Sequence, residues 1–161
     1  MTRNRLVNIV LVVALTTGGL FLYNKYRVAP PVQFAALSLT DLQGQPVALN
    51  QYAQKRLFVN FFATWCGPCV AELPSLQQAQ KMLKGQTGFV IISDEPLERL
   101  RSFQQRNGYS LTFLHSNTPL SSIDIHTIPT SYLLNSRQEI LMKHVGEEEW
   151  SSEEWLKKLT E

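Results

Sequence analysis

Two cysteines are all that this 161-residue chain contains, and its three histidines, His115, His126 and His144, stand apart from one another. A single pair cannot build a disulfide scaffold, so the fold must rest on a hydrophobic core and the cysteines are free for chemistry. Zinc asks for about four ligands, and no histidine here stands in a paired ligand spacing, so no metal site is expected. Charge of either sign is also scarce. The formal net charge is +2, and no Lys/Arg-rich stripe is present to follow a phosphate backbone, so nucleic acid is not the expected partner. Internal repeats and low-complexity tracts are missing. With 44% apolar and 10% aromatic residues, the chain is too apolar for disorder and has the length of one domain plus an appendage.

The two cysteines lie in Trp65-Cys66-Gly67-Pro68-Cys69, directly after the apolar run Leu57–Ala63. So short and aromatic a run reads as a buried strand, and Gly67-Pro68 suits a turn into a helix. Cys66 then falls at a helix N-terminus, where unpaired backbone N–H groups and the macrodipole favour a thiolate. With a second thiol one turn away, that thiolate can attack a disulfide and be released by its neighbour. A purely structural disulfide competes, although so small a loop gains little entropy from closure. Covalent haem attachment asks for a histidine after Cys69, and Val70 stands there. Dithiol–disulfide exchange is the expected chemistry.

The appendage is N-terminal. Leu6 to Tyr23 carries no charged residue, and as a helix it extends ~27 Å, just short of a ~30 Å hydrocarbon core. Arg3 and Arg5 precede it, and Tyr23, Lys25, Tyr26 and Arg27 suit the far interface. A cleaved signal peptide is the rival, with Leu6–Leu15 as its apolar region and Thr17-Gly18-Gly19 before the cut. Continuation of the run through Leu20–Tyr23 favours a retained anchor. Two basic residues flank each side, so charge leaves the orientation open. The cysteine chemistry favours a domain outside the cytoplasm, where disulfides form. The expected organisation is a cytoplasmic N-terminus at 1–5, an anchor at 6–23, a linker at 24–33 stiffened by Ala29-Pro30-Pro31, and a folded domain at 34–161.

Within the domain, Phe34–Leu39 reads as a strand, Asp41–Pro46 as a turn and Val47–Leu49 as a returning strand. The cysteine helix should run to about Leu83, with Pro74 removing one of its backbone hydrogen bonds. Phe89–Ile92 reads as a central strand, and Ser93–Pro96 opens a helix ending at Asn107-Gly108. A short strand at Leu111–Leu114, a hairpin of Thr130–Leu134 with Ile140–Met142, and a last helix capped at Ser151-Ser152 complete the order. Strands alternating with helices, then a hairpin and a helix, call for an α/β fold whose mixed sheet is covered by helices on both faces. Glu147–Glu149 reads as a solvated lead-in to the last helix, and Phe58, Phe61 and Phe62 as core.

Four segments resemble the thioredoxin superfamily, and within it the membrane-tethered TlpA/ResA/CcmG-like branch. They are Leu39–Leu49, Val59–Cys69, Ala71-Glu72-Leu73-Pro74 and Ile128-Pro129-Thr130, and the resemblance covers Phe34 to the C-terminus. It implies a thioredoxin-like domain acting on protein disulfides outside the cytoplasm, in the periplasm on a single-pass anchor in the bacterial cytoplasmic membrane. Cytochrome c biogenesis is the frequent setting, with apocytochrome c or an oxidase subunit as substrate and a membrane protein as electron donor. No cofactor is implied beyond the Cys66–Cys69 disulfide. The resemblance makes Cys66 the attacking thiol and Cys69 the resolving one, with Trp65 shaping the surface beside them. Gly67-Pro68 matches reducing relatives. Pro129 becomes a cis-proline beside the cysteines, with Ile128 backbone groups free to pair with an extended substrate. A plain edge strand starting at Pro129 fits the same residues.

Many thioredoxins carry a buried aspartate six residues before the first cysteine, where this chain has Asn60. Asparagine takes no proton. Glu72, three residues past Cys69, is a helical neighbour of that thiol and the candidate base. The alternative is a solvated glutamate that interacts only with the helix end. His126 is a candidate border of the substrate groove. A copper chaperone or assembly factor binding through the two sulfurs is the competing function, although no Met or His flanks the pair to complete a soft site.

Overall fold

The computed structural model describes the backbone of residues 2–27 and 29–161, and side chains of 7–23 and 29–161. A long helix, α1 (Thr2–Arg27), is followed by a seven-stranded sheet with three further α-helices. The strands are β1 (Leu39–Thr40), β2 (Pro46–Val47), β3 (Arg56–Phe61), β4 (Thr87–Ser93), β5 (Thr112–Ser116), β6 (Thr130–Asn135) and β7 (Ile140–Val145). Helices α2 (Gly67–Met82), α3 (Leu97–Asn107) and α4 (Glu153–Lys158) connect or follow them. The strand order is β2-β1-β5-β4-β3-β6-β7. Central β3, β4 and β5 run parallel, whereas β1 and β6 pair antiparallel with their neighbours.

The centre of the sheet consists of continuous apolar runs because both of its faces are covered. β4 is buried at every residue and β3 at all but Arg56. Alternation then divides the side chains between two cores. Phe58, Phe89, Ile91 and Phe113 pack with Leu73 and Leu76 of α2, Leu100 and Phe103 of α3, and Trp150 before α4. Leu57, Val59, Phe61, Val90, Ile92 and Tyr132 face the other way. That second face is covered by Ala29, Val32 and Phe34, by Leu49 in a one-turn 3-10 helix, and by Leu120 and Ile125. The expectation of helices on both faces is therefore corrected. All three α-helices of the domain pack on one face, and single-turn 3-10 helices with an N-terminal segment close the other.

Two further expectations change. Phe34–Ala36 is a 3-10 turn rather than a strand, because Phe34 packs inward against Tyr132 and Phe61, with ring centroids at 5.1 and 6.3 Å. Ala29 and Val32 are core residues rather than spacer, and the Tyr132 hydroxyl donates to the Pro30 carbonyl at 2.9 Å. Burial raises the Tyr132 hydroxyl pKa, so it stays a donor.

Turn chemistry follows the sequence closely. Asp41 Oδ1 accepts from the N–H groups of Gln43 and Gln45, and Gly44 takes the left-handed conformation that closes the hairpin of β1 and β2. Helix α3 stops at left-handed Gly108. Gly88 matters for space, since a Cβ there would stand 2.0 Å from the Tyr52 carbonyl oxygen.

Among the described residues, no helix is long and apolar enough to cross a membrane. The span expected from Leu6 begins outside the described side chains, as do residues 1–5 and the first part of the 24–33 linker. Within α1, the side chains from Val7 to Tyr23 are exposed.

Candidate active site

β3 ends at Phe61, and the Phe62 N–H still donates to Ile92 O at 2.9 Å. The chain then leaves the sheet and turns at once into α2. Cys66 is the N-cap of that helix, and its sulfur accepts the Cys69 N–H at 3.3 Å. Pro68 sits in the first turn, where a missing N–H costs nothing. Glu95 holds the approach to this turn. Its carboxylate accepts from Thr64 N at 2.6 Å and Thr64 Oγ1 at 2.8 Å, and pairs with Arg99 at 3.3 Å. The residue before Trp65 is thereby fixed to the end of β4, a link that connects residues 31 positions apart.

Cys66 and Cys69 form a disulfide with a Cα–Cα distance of 5.2 Å. The two sulfurs are not equivalent. Cys66 keeps 6% of its surface in solvent, whereas Cys69 keeps none. Trp65 is 72% exposed beside the pair, and Gly67 and Pro68 are exposed as well. The Ile128–Pro129 peptide bond is cis, and the Ile128 carbonyl oxygen lies 3.8 Å from Cys66 Sγ. A cavity of about 270 Å³ opens next to them, lined by Trp65, Asp94, Ile125, His126 and Ile128 among others.

Three residues beyond Cys69 on α2, Glu72 is 1% exposed. Its Oε1 accepts from Asn60 Nδ2 at 2.7 Å; its Oε2 accepts from Trp150 Nε1 at 2.8 Å and from Glu148 N at 3.4 Å. Burial pushes the Glu72 carboxyl up to about 7, with the Trp150 and Asn60 hydrogen bonds acting against it. A solvated surface glutamate is thus not what the chain presents. Asn60 also donates to Ser131 Oγ at 3.0 Å, leaving its own Oδ1 buried without a partner.

The structure gathers Cys66, Cys69, Trp65, Gly67, Pro68, Ile128 and Pro129 around the disulfide, with Cys69 and Pro129 buried, and Glu72 lies buried one helical turn beyond Cys69 on α2. His126 borders the cavity and the other two histidines do not: His115 Nδ1 contacts the Glu95 carbonyl, and His144 lies beside Glu148 and the Trp150 ring. Sequence reasoning missed Glu95, which reads locally as part of a helix opening, and Trp150, which carries no motif at all. It also read Glu147–Glu149 as solvated throughout, whereas the Glu148 N–H reaches Glu72 and the Glu148 carboxylate accepts from Trp155 Nε1 at 3.0 Å.

The Redoxin family model matches residues 27–158. The chain belongs to the Redoxin family. Within the thioredoxin superfamily it is a TlpA/ResA/CcmG-like protein. It is 27% identical over 175 residues to the thiol-disulfide oxidoreductase ResA of Bacillus cereus, covering 99% of each chain. It is 27% identical over 158 residues to the thioredoxin-like protein YneN of Bacillus subtilis, covering 91% of this chain and 92% of that one. Among solved structures, a thioredoxin-family thiol:disulfide interchange protein from Chlorobium tepidum is 28% identical, with a TM-score of 0.63 over 82% of this chain and 97% of its own. StoA from Bacillus subtilis shares the fold, with a TM-score of 0.65 at 24% identity over 81% of this chain and all of StoA.

This Redoxin-family chain is a thiol–disulfide oxidoreductase whose redox group is the Cys66–Cys69 pair itself. Cys66 caps the N-terminus of α2, the end of a helix at which the macrodipole favours negative charge, and in the disulfide its sulfur accepts the Cys69 N–H. Roughly 30 mV of potential corresponds to ~1.4 kcal/mol, so changes of this size in thiolate stabilisation decide the direction of exchange.

Proposed function

We propose that this oxidoreductase is a reductant of protein disulfides, tethered by its N-terminal segment to the outer face of a bacterial cytoplasmic membrane. The observation that carries the reading is the asymmetry of the pair: Cys66 keeps 6% of its surface in solvent and Cys69 keeps none. Cys66 attacks a substrate disulfide, forming a mixed disulfide and releasing one substrate sulfur as a thiolate that takes up a proton. Cys69 then gives its proton to Glu72 and attacks Cys66 Sγ. The Cys66–Cys69 bond forms, the second substrate sulfur leaves as a thiolate and takes up a proton from solvent, and Glu72 returns the Cys69 proton to solvent, so the substrate has gained two electrons and two protons.

Around this chemistry, Trp65, Gly67 and Pro68 form the exposed rim that meets the substrate. Ile128, held by the cis bond to Pro129, presents its backbone to an extended segment, as in strand addition, while the Pro129 carbonyl is taken by the Gly146 N–H at 2.9 Å. Support for Glu72 as the proton acceptor comes from its carboxyl lying near 7, where it exchanges protons at physiological pH. Support for the tether comes from the uncharged run Leu6–Tyr23 and from the exposure of Val7, Ile9, Val10, Leu11, Phe21 and Leu22 in α1. Cytochrome c or oxidase maturation is the setting, with apocytochrome c as the first substrate to test.

A Cys69→Ser chain expressed with its N-terminal segment should fractionate with membranes, be open to protease on spheroplasts, and carry partner proteins released by reductant. Recovery in the soluble cytoplasm, or a domain protected from protease, would overturn the location. Partners without a CxxC pair would overturn the cytochrome setting.

A further inference from the structure

Glu72 is held by donors from three directions, and they differ in what they permit. Asn60 on β3 is reversible. Its amide donates to Glu72 Oε1 and to Ser131 Oγ, while its unpartnered Oδ1 can accept from a protonated carboxyl if the amide turns over. Trp150 is not reversible. An indole N–H only donates, so its 2.8 Å bond to Glu72 Oε2 is stronger to the charged carboxylate than to the neutral acid. The Glu148 N–H reaches the same oxygen but at 3.4 Å.

Trp150 is also fixed. It is wholly buried, with Phe58 and Trp155 at ring-centroid distances of 4.7 and 4.6 Å, and its own N–H donates to Ser75 Oγ at 3.2 Å. Ser75 lies three residues after Glu72 on α2 and donates back to the Glu72 carbonyl at 2.9 Å. The segment between β7 and α4 is thus fastened to the helix at Glu72 itself and within one turn of it.

We propose that Trp150 is a positioning residue for the exchange reaction, acting through its indole N–H on Glu72 and so setting the pH at which Glu72 can receive the Cys69 proton. The proposal rests on the reading of Glu72 as that proton acceptor. Other titratable and charged groups surround the site. Cys69 stands on α2, Glu147 and Glu148 on the segment carrying Trp150, His144 on β7 beside Glu148, and Lys158 on α4 over the Trp155 ring. Asn60 on β3 and Ser131 on β6 are neutral. Glu147 opposes ionisation of Glu72, so Trp150 and Asn60 are the main side chains that favour it.

The test is the pH dependence of single-turnover reduction of a synthetic peptide disulfide by the full reduced chain in detergent, for wild type, Trp150→Phe, Glu72→Gln and the double variant. The Glu72-dependent limb of Trp150→Phe should move up by roughly one to two pH units, with the rate about fivefold or more lower at pH 7 and recovered by about pH 9. In the Glu72→Gln background, Trp150→Phe should change nothing further. An unmoved limb, or a rate loss that persists in the double variant, would overturn the proposal while leaving the reading of Glu72 intact. If Glu72→Gln shares the wild-type profile, that reading falls and the role of Trp150 with it. Should Trp150→Phe fail to fold, the indole N–H resonance of Trp150 in the 15N-labelled oxidised chain decides. It must titrate near pH 7 in wild type and lose that titration in Glu72→Gln; a flat response from pH 5 to 9 would overturn the proposal.

Discussion

Changing Cys66 to serine should reduce exchange with a peptide disulfide by more than about a thousandfold, while Cys69→Ser should complete the first half-reaction and stop there. The difference follows from where the sulfurs sit. Cys66 is the one with solvent access and lies 3.8 Å from the Ile128 carbonyl, at the surface an extended substrate would approach. A serine hydroxyl at Cys66 is not ionised at neutral pH, and the fully buried Cys69 cannot reach a macromolecular disulfide in its place. With serine at position 69, Cys66 still attacks, but no thiol stands behind it to break the new bond. The mixed disulfide then accumulates in stoichiometric amount until an external thiol removes it. Both variants should remain folded, since losing a bridge across three residues of separation costs only about 2 kcal/mol in loop entropy. Single-turnover kinetics with mass spectrometry of the trapped species checks this. Equal losses in the two variants, with no adduct on Cys66, would contradict the assignment of roles.

The second large effect concerns stability. In the oxidised chain the Glu72 carboxyl lies at about 7, well above its ordinary value in an unfolded chain, so between those limits the folded state holds the extra proton. The stability contributed by this group is therefore fully present below about pH 4.5, falls as the pH rises through 7, and is gone once Glu72 is ionised in both states. The total fall from this group is about 3 kcal/mol. Glu72→Gln should abolish that part of the pH dependence. The variant should match wild type near pH 4.5 and exceed its stability by about 2–3 kcal/mol at pH 8. Glutamine fits the site because its oxygen can accept from Trp150, and its amide can donate to the free Asn60 Oδ1 once Asn60 turns over. Urea denaturation of the disulfide-bonded chains across pH 4.5–8.5 makes the comparison. Parallel curves for the two proteins would show that Glu72 does not carry the shifted proton.

What could be read from the amino-acid order divides along a physical line. The cysteine turn, the central strands and the caps of α2, α3 and α4 depend on local chemistry: apolar runs, Pro68 in a first turn, Gly108 after a last one, and Ser152 as an N-cap. These were legible. The cover of the second sheet face was not. A one-turn helix such as Leu49–Gln51 is too short to carry a period, and Ala29 with Val32 lies in a Pro-containing stretch that reads as spacer.

The same line runs through the site. Glu72 was suggested by its spacing from Cys69, but its main partners lie 12 and 78 residues away in sequence. Asn60, read only as a missing base, is one of the two side chains that hold Glu72. Glu95 looks like a helix opener in Ser93–Pro96, and its bond to Thr64 appears only when the ends of β3 and β4 are side by side. Non-local hydrogen bonds of this kind leave no periodic trace, so tertiary structure was needed to find them.

The most direct measurement is differential alkylation of the reduced full chain with iodoacetamide at pH 7, read by peptide mass spectrometry. Cys66 should be modified first and essentially alone, with Cys69 labelled only after denaturation. Modification of Cys69 ahead of Cys66, or a Cys66 that stays unlabelled in the folded protein, would contradict the account.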